Sequence, residues 1–539
     1  MCALARNDSL IVISSKPTQS DAILHPLVLL YTKVSMAYLH LCIQYGMMWP
    51  LRMDVHAGRT NPKGRKKTMT FSDIVSKAND LAWGPWMLLL LVGTGIFLSI
   101  RVGFIQFGKF GYVMKNTLGK LFKKQSAGEG EVTPLQAVST ALAATVGTGN
   151  IAGVTGAIVA GGPGAVFWMW LSALFGMVTK YAEVVLSIRY RERNAKGEWV
   201  GGPMYYIKNG LGKGWNWLGV LFCLFGALAA FGIGNLTQVN TIAASINNAI
   251  NACGGNTMAV AVNMFGQTVP VTSLIVGAVV AAIVGLVLFG GVKRIGAVAE
   301  KLVPMMAVVY ILCSLSVVIA NAGSLGKVFA MIFKGAFSPE AALGGAFGIA
   351  IKTTIQKGIG RGVFSNEAGL GSAPIAHAAS SESDPVRQGL FGIFEVFMDT
   401  IVICTLTALT LLCGIDAGVE VAWGTGAGAE LISASFGTIF GNQAGSLIVA
   451  VCLSLFALTT ILSWSLYGTR CSEFLVGTKL TIIFQVAFVV MLVFGAALKL
   501  ELAWNIADTL NGFMAVPNLI ALLGLSGVVV KLTKEHFGK

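Results

Sequence analysis

The chain has 539 residues, of which 55% are hydrophobic and only 12% charged, with a mean hydropathy of +0.75. Soluble domains carry about 25% charged residues, so this composition excludes a soluble globular protein and describes one built into a membrane. The formal net charge of +14 does not point to nucleic acid, because the basic residues sit in short loops between apolar runs and not along one stripe.

Nine cysteines are scattered, mostly within apolar segments, and read as small buried residues with neither a metal site nor a disulfide framework. Residues 1–68 form a compositionally distinct start. Ala22–Leu51 is interrupted by His25, Pro26, Lys33 and His40 and makes a poor spanning segment. Pro62–Lys67 is a basic run, and no secretory cleavage pattern is present. From Leu81 onward eleven apolar stretches approach the ~20 residues that a span needs. They lie near 81–101, 134–160, 164–188, 215–250, 271–291, 301–321, 340–365, 388–413, 445–468, 478–499 and 512–531.

Basic residues alternate between the connecting loops. They are dense after the first, third, fifth, ninth and eleventh stretches and sparse after the second, fourth and eighth. The positive-inside rule then places the C-terminus in the cytoplasm and the start of the first span outside. Lys63, Arg65, Lys66 and Lys67 would lie on the wrong side of such a first span, which gives the expectation that the functional protein begins at Met69 with 1–68 dispensable.

Eleven divides as one accessory helix (81–101) plus five (134–321) plus five (340–531). Five is odd, so the two halves run oppositely through the membrane. The second stretch carries Gly147-Thr148-Gly149-Asn150 in its middle, and the seventh carries Gly344, Gly345, Gly348, Gly358, Gly360 and Gly362. An interior glycine costs about 1 kcal/mol relative to alanine in a helix. Backbone unwound at membrane depth must face protein or a water-filled cavity. Interrupted helices at matching places of two halves point to an inverted-repeat transporter. The alternative for these glycines is close packing between helices.

Freed N–H groups at a half-helix N-terminus suit a carboxylate, and freed carbonyls with Ser or Thr hydroxyls suit Na⁺. Thr148, Gly149 and Asn150 supply both kinds of group within one turn. In the fourth stretch Gln238 stands among apolar residues and either reaches a substrate or bonds a neighbouring helix. Glu395 and Asp399 are four apart on the eighth stretch, with Arg361 or Lys352 as candidate partners. Lys180 and Glu183 are three apart on the third. Both pairs read as structural or gating groups, and no partner suggests itself for His377.

GGPGAVFWMWLSALFG at Gly161–Gly176 resembles the signature of the sodium:alanine (glycine) symporter family. VGTGNIAG at Val146–Gly153, TKYAE at Thr179–Glu183, GGPMYYI at Gly201–Ile207 and GVFSNEAGLGSAPIAHAA at Gly362–Ala379 extend the resemblance over most of the chain from Met69. The resemblance implies an all-α polytopic membrane protein of the leucine-transporter type, with about 11 transmembrane helices and a five-plus-five inverted-repeat core. It implies Na⁺-coupled uptake of alanine or glycine across a bacterial-type inner membrane, by a monomer without cofactor.

Thr148, Gly149, Asn150 and Gln238 then become substrate-binding positions, with Phe347 and Trp464 as walls of a small pocket. Ala143, Val146, Asn150, Thr459, Thr460 and Ser463 become sodium-binding positions. Aromatics such as Phe347 and Trp464 are more often packing residues, and adjacent hydroxyls can bond back to their own helix. Few carboxylates are expected near the second-stretch break, which favours Na⁺ over a proton relay. Proton-coupled symport, a channel and a membrane enzyme are the alternatives. No HExxH or nucleophile–base cluster supports the last, and no symmetry-repeated filter supports a channel.

Overall fold

The computed structural model describes residues 71–121, 131–264, 267–338, 350–424, 428–498 and 501–538. The expectations for residues 1–68, for Phe347 and for Gly344, Gly345 and Gly348 lie outside these. The described chain is helical apart from two small hairpins, β1 (Glu192–Arg193) with β2 (Trp199–Val200) and β3 (Ala261–Met264) with β4 (Gln267–Pro270), both antiparallel.

Two helices precede the core, α1 (Phe71–Ala82) and α2 (Pro85–Arg101), and α3 (Phe110–Leu121) follows them. The second stretch is α4 (Pro134–Thr145) and α5 (Gly149–Gly161), bent by 46° at the break. Its start is set locally. Thr133 accepts the Gln136 N–H at 3.1 Å and Gln136 returns its side chain to the Thr133 N–H, behind Pro134 at the first helical position.

Next come α6 (Ala165–Tyr190), α7 (Lys213–Ala252), α8 (Val271–Leu288), α9 (Gly291–Ala320) and the short α10 (Leu325–Phe337). The second half holds α11 (Ile351–Asn366), α12 (Ala373–His377), α13 (Pro385–Asp416), α14 (Ala429–Phe440) and α15 (Asn442–Val476). It closes with α16 (Thr481–Gly495), α17 (Glu501–Gly524) and α18 (Ser526–Phe537).

Among the described residues eight helices are long and apolar enough to cross a membrane, and the bent pair α4–α5 makes a ninth. The other two of the eleven stretches are α16, with 15 residues, and α11, with 16. Their faces divide as a membrane requires. Helix α8 turns Ile275, Val279, Ile283 and Leu286 outward, where lipid replaces water as the solvent. Met306, Tyr310, Leu411, Phe436 and Phe456 meet inside.

Of the seventh stretch's glycines that are described, Gly358, Gly360 and Gly362 do not interrupt the helix, which runs unbroken over Ile351–Asn366. Gly358 and Gly362 lie inside α11 against α6, where an added Cβ would stand 2.7 Å from the Trp168 Cβ and 3.1 Å from the Met169 Cγ. They serve close packing. The chain unwinds after Asn366, at residues 367–372, and α12 resumes at Ala373.

Candidate functional site

The first break is organised by one side chain. Asn150 Oδ1 accepts the Gly147 N–H at 2.8 Å, and Asn150 Nδ2 donates to Asp399 Oδ1 at 2.6 Å. The Asn150 N–H bonds back to the Gly147 carbonyl at 3.2 Å, and a π-turn spans Gly149–Gly153. The N–H groups of a helix's first turn have no partner within it, which is the position of Thr148 and Gly149.

Helix α15 crosses the end of α4 at this point. The Thr460 hydroxyl donates to the Ala143 carbonyl (3.0 Å) and the Ser463 hydroxyl to the Thr140 carbonyl (2.7 Å). The approach is close enough that a Cβ on Gly147 would lie 2.5 Å from Thr460 Oγ1, so any larger residue there must displace the Thr460 hydroxyl. Val146 caps the end of α4, with its N–H on the Leu142 carbonyl at 2.7 Å. Thr459 stands apart. Its hydroxyl bonds the Phe456 carbonyl at 2.9 Å and faces the Met306 sulfur at 3.4 Å, on the α9 side of α15.

On the other side, Thr148 Oγ1 donates to Gln238 Oε1 at 3.1 Å, and Gln238 Nε2 donates to the Ile233 carbonyl at 2.9 Å. Trp464 is 1% exposed and donates its indole N–H to Glu367 Oε1 at 3.1 Å, while its ring packs on Gly234, where a Cβ would overlap it. Phe364 lies beside the break, 3.7 Å from the position of a Gly149 Cβ, with the Arg361 guanidinium 4.8 Å over its ring centroid.

The carboxylates depart from the sequence expectations. Asp399 bonds Asn150, Ser365 (3.1 Å) and Thr400 (2.8 Å), so a carboxylate does adjoin the first break. Glu395 faces Lys180 at 4.0 Å and pairs with His377 Nε2; His377 Nδ1 in turn receives Gln388 Nε2 at 2.8 Å. Glu395 and Asp399 therefore serve different places. A π-turn runs over Phe397–Cys404, and its i→i+5 bonding shifts the face to which a four-residue spacing returns. Arg361 lies on Phe364 instead of pairing with either, and Lys180 pairs across helices instead of with Glu183.

At the far end of α15, Arg470 bonds Glu473 (2.5 Å) and Glu198 (2.8 Å), tying down the hairpin β1–β2. Burial acts to raise the Glu198 carboxyl, but the Arg470 charge and hydrogen bond outweigh it and hold the group below the usual carboxylate range.

A bundle of apolar helices with two buried interruptions, and polar groups converging on one of them, defines a helical membrane transporter. The chain belongs to the sodium:alanine symporter family, which matches residues 68–539. It is 48% identical over 470 residues to the sodium/alanine symporter AgcS of Methanococcus maripaludis, covering 86% of this chain and 97% of that protein. An uncharacterized transporter of Haemophilus influenzae is 45% identical over 471 residues, covering 87% and 97%. The crystal structure of MhsT in complex with L-phenylalanine superposes with a TM-score of 0.50 at 15% identity, over 76% of this chain and all of that one, and shares the leucine-transporter-type fold. The protein is a multi-pass membrane transporter and not an enzyme.

Proposed function

We propose that the protein is a secondary symporter that takes alanine and glycine into the cytoplasm with Na⁺ by alternating access. One observation carries the ion assignment. Hydroxyls of Thr460 and Ser463 on α15 meet the carbonyls of Ala143 and Thr140 at the end of a half-helix. A hydroxyl that donates to a carbonyl at 2.7–3.0 Å needs only to rotate for both oxygens to turn lone pairs toward a small hard cation. Ala143, Val146, Thr460 and Ser463 are the positions assigned to Na⁺, with Asn150 beside them. Thr459 is the least suited of the set, because its hydroxyl is directed elsewhere.

The amino acid sits on the other side of the break. Its carboxylate meets the N–H groups of Thr148 and Gly149, its polar end reaches Gln238, and Trp464 with Phe364 limits the side chain to about a methyl group. The name of the 48%-identical relative, a sodium/alanine symporter, supports the same cargo. The C-terminus faces the cytoplasm of a bacterial-type inner membrane by the distribution of basic residues, and the unit of transport is the monomer.

The contact of Asp399 with Asn150, and that of Glu367 with Trp464, favours proton coupling as a second reading, since a buried carboxylate beside the break is a group that could carry a proton. The two are separated by uptake of labelled alanine into proteoliposomes. A sodium gradient at constant pH is expected to drive accumulation, and a proton gradient without sodium is not. Equal uptake in both arms would refute Na⁺ coupling.

A further inference from the structure

Three motifs have no task in the transport cycle as described: TKYAE, GGPMYYI and the NEAGLGSAP stretch. The fold brings them to one point. In the second break Gly369 and Gly371 adopt φ of +93° and +83°, a left-handed backbone that favours glycine. Glu183 reaches this segment from α6. Its Oε1 accepts the N–H groups of Gly369 (3.0 Å) and Gly371 (3.1 Å) and Asn518 Nδ2 from α17 (2.5 Å). Asn518 also donates to the Gly369 carbonyl at 2.9 Å, and its own carbonyl accepts the Tyr206 hydroxyl of the short helix Pro203–Tyr206. Gly369 is thereby held at both its N–H and its C=O.

A carboxylate buried in a membrane protein is costly, and a neutral acceptor would fill the same space at less cost. What a carboxylate adds is the capacity to hold several donors strongly on one oxygen. The segment also has little slack to turn its amides elsewhere. A Cβ on Gly369 would stand 2.6 Å from Leu91 Cδ2, and one on Gly371 2.6 Å from Pro203 Cγ.

We propose that Glu183 is a positioning residue for transport: a built-in carboxylate that occupies the N–H groups of the second break. The carboxylate of the cargo is then accepted at the first break alone. The inference rests on the first break being the substrate site. Both breaks expose backbone N–H groups, and an amino-acid carboxylate is a ligand for either. Glu183 removes that ambiguity and fixes the segment that carries Glu367, the acceptor of the Trp464 indole. Lys180, one turn away on α6, is directed to Glu395, which leaves Glu183 to the amides.

The test uses the full chain in liposomes with two readouts: hydrogen–deuterium exchange of the 367–372 amides without substrate, and the concentration dependence of alanine uptake. Glu183→Gln keeps the volume and removes the charge. It is expected to speed exchange in the segment and to raise KM for alanine about tenfold, with the maximal rate changed less than threefold. Glu183→Ala raises KM further, and sodium formate, but not formamide of the same size, restores part of the affinity.

Unchanged exchange in Glu183→Gln, or a KM within twofold of the parent, overturns the proposal. So does any other rescue pattern in an inserted Glu183→Ala protein, because equal recovery by formamide marks a filled void. If Glu183→Ala does not insert, the glutamine variant decides. If the parent protein takes up no alanine, the transport reading fails, while the exchange readout still decides the role of Glu183.

Discussion

Thr460→Val tests the ion site with the least disturbance, since valine matches threonine in shape and removes only the hydroxyl. Without sodium, the hydroxyl donates to Ala143 at 3.0 Å and back to Phe456 at 2.9 Å. Its loss there costs about 0.5–1.5 kcal/mol, as for a neutral hydrogen bond. With sodium, the same oxygen faces a full charge, and contacts to charged groups are worth about 1.5–3 kcal/mol. The difference, about 1–1.5 kcal/mol, is what sodium affinity feels, so half-saturation by Na⁺ should rise roughly tenfold. The assay is alanine uptake against Na⁺ concentration at saturating alanine. Thr459→Val is the matched control, because its hydroxyl bonds only its own helix and a sulfur. A sodium dependence unchanged in Thr460→Val, or shifted equally in Thr459→Val, would refute this placement of the ion.

Gly147→Ala places a methyl 2.5 Å from Thr460 Oγ1 and must part α15 from α4, so sodium-driven uptake should fall to background in protein that still inserts; uptake above a tenth of the parent rate counts against it. Gln238→Leu strands the Thr148 hydroxyl, and KM for alanine should rise at least fivefold, while sodium half-saturation shifts by less than twofold. The Glu198 carboxyl is held below its usual range, so the stability it contributes is present above the unfolded value of about 4.3 and is lost as pH falls through the folded one. Protection of the β1–β2 amides, taken relative to the intrinsic exchange rate at each pH, should therefore fall only on acidification below about pH 4, and Glu198→Gln should show the acid behaviour already at neutral pH. Loss of that protection on alkalinisation instead would contradict the pairing with Arg470.

The span pattern was legible because its physics is one-dimensional. A membrane demands about 20 apolar residues per crossing, and the alternation of basic loops needs no knowledge of contacts. The short helix that leads into α2 escaped this reading. Helix α1 earns its place by packing, with Asn79 and Trp83 donating to the backbone of Asn505 and Asp508, and no hydropathy window sees that. The first break was legible because its two glycines stand with Thr and Asn, which have their own hydrogen-bonding uses. In the seventh stretch the same rule fails. Gly358 and Gly362 repeat at a four-residue interval on one helical face, which is the spacing of a packing groove, whereas Gly369 and Gly371 take a positive φ that a helix does not use.

The polar contacts were the least legible part, and the reason is local. Lys180 with Glu183 and Glu395 with Asp399 have the spacings of helical neighbours, and the arithmetic of one helix pairs them. Inside a membrane a charged side chain is bound by a stronger demand than its neighbour's proximity, because every lone pair left unmet faces hydrocarbon. It therefore reaches across helices for backbone amides, amide side chains and hydroxyls that a lone helix does not offer. Asp399 finds Asn150 and Ser365, and Glu183 finds two glycine N–H groups that exist only because α11 has unwound. An unwound segment exposes donors that must be met, and a buried carboxylate from a neighbouring helix meets them. Asp399 beside Asn150, and Glu183 beside Gly369 and Gly371, each mark from their own helix an interruption in another.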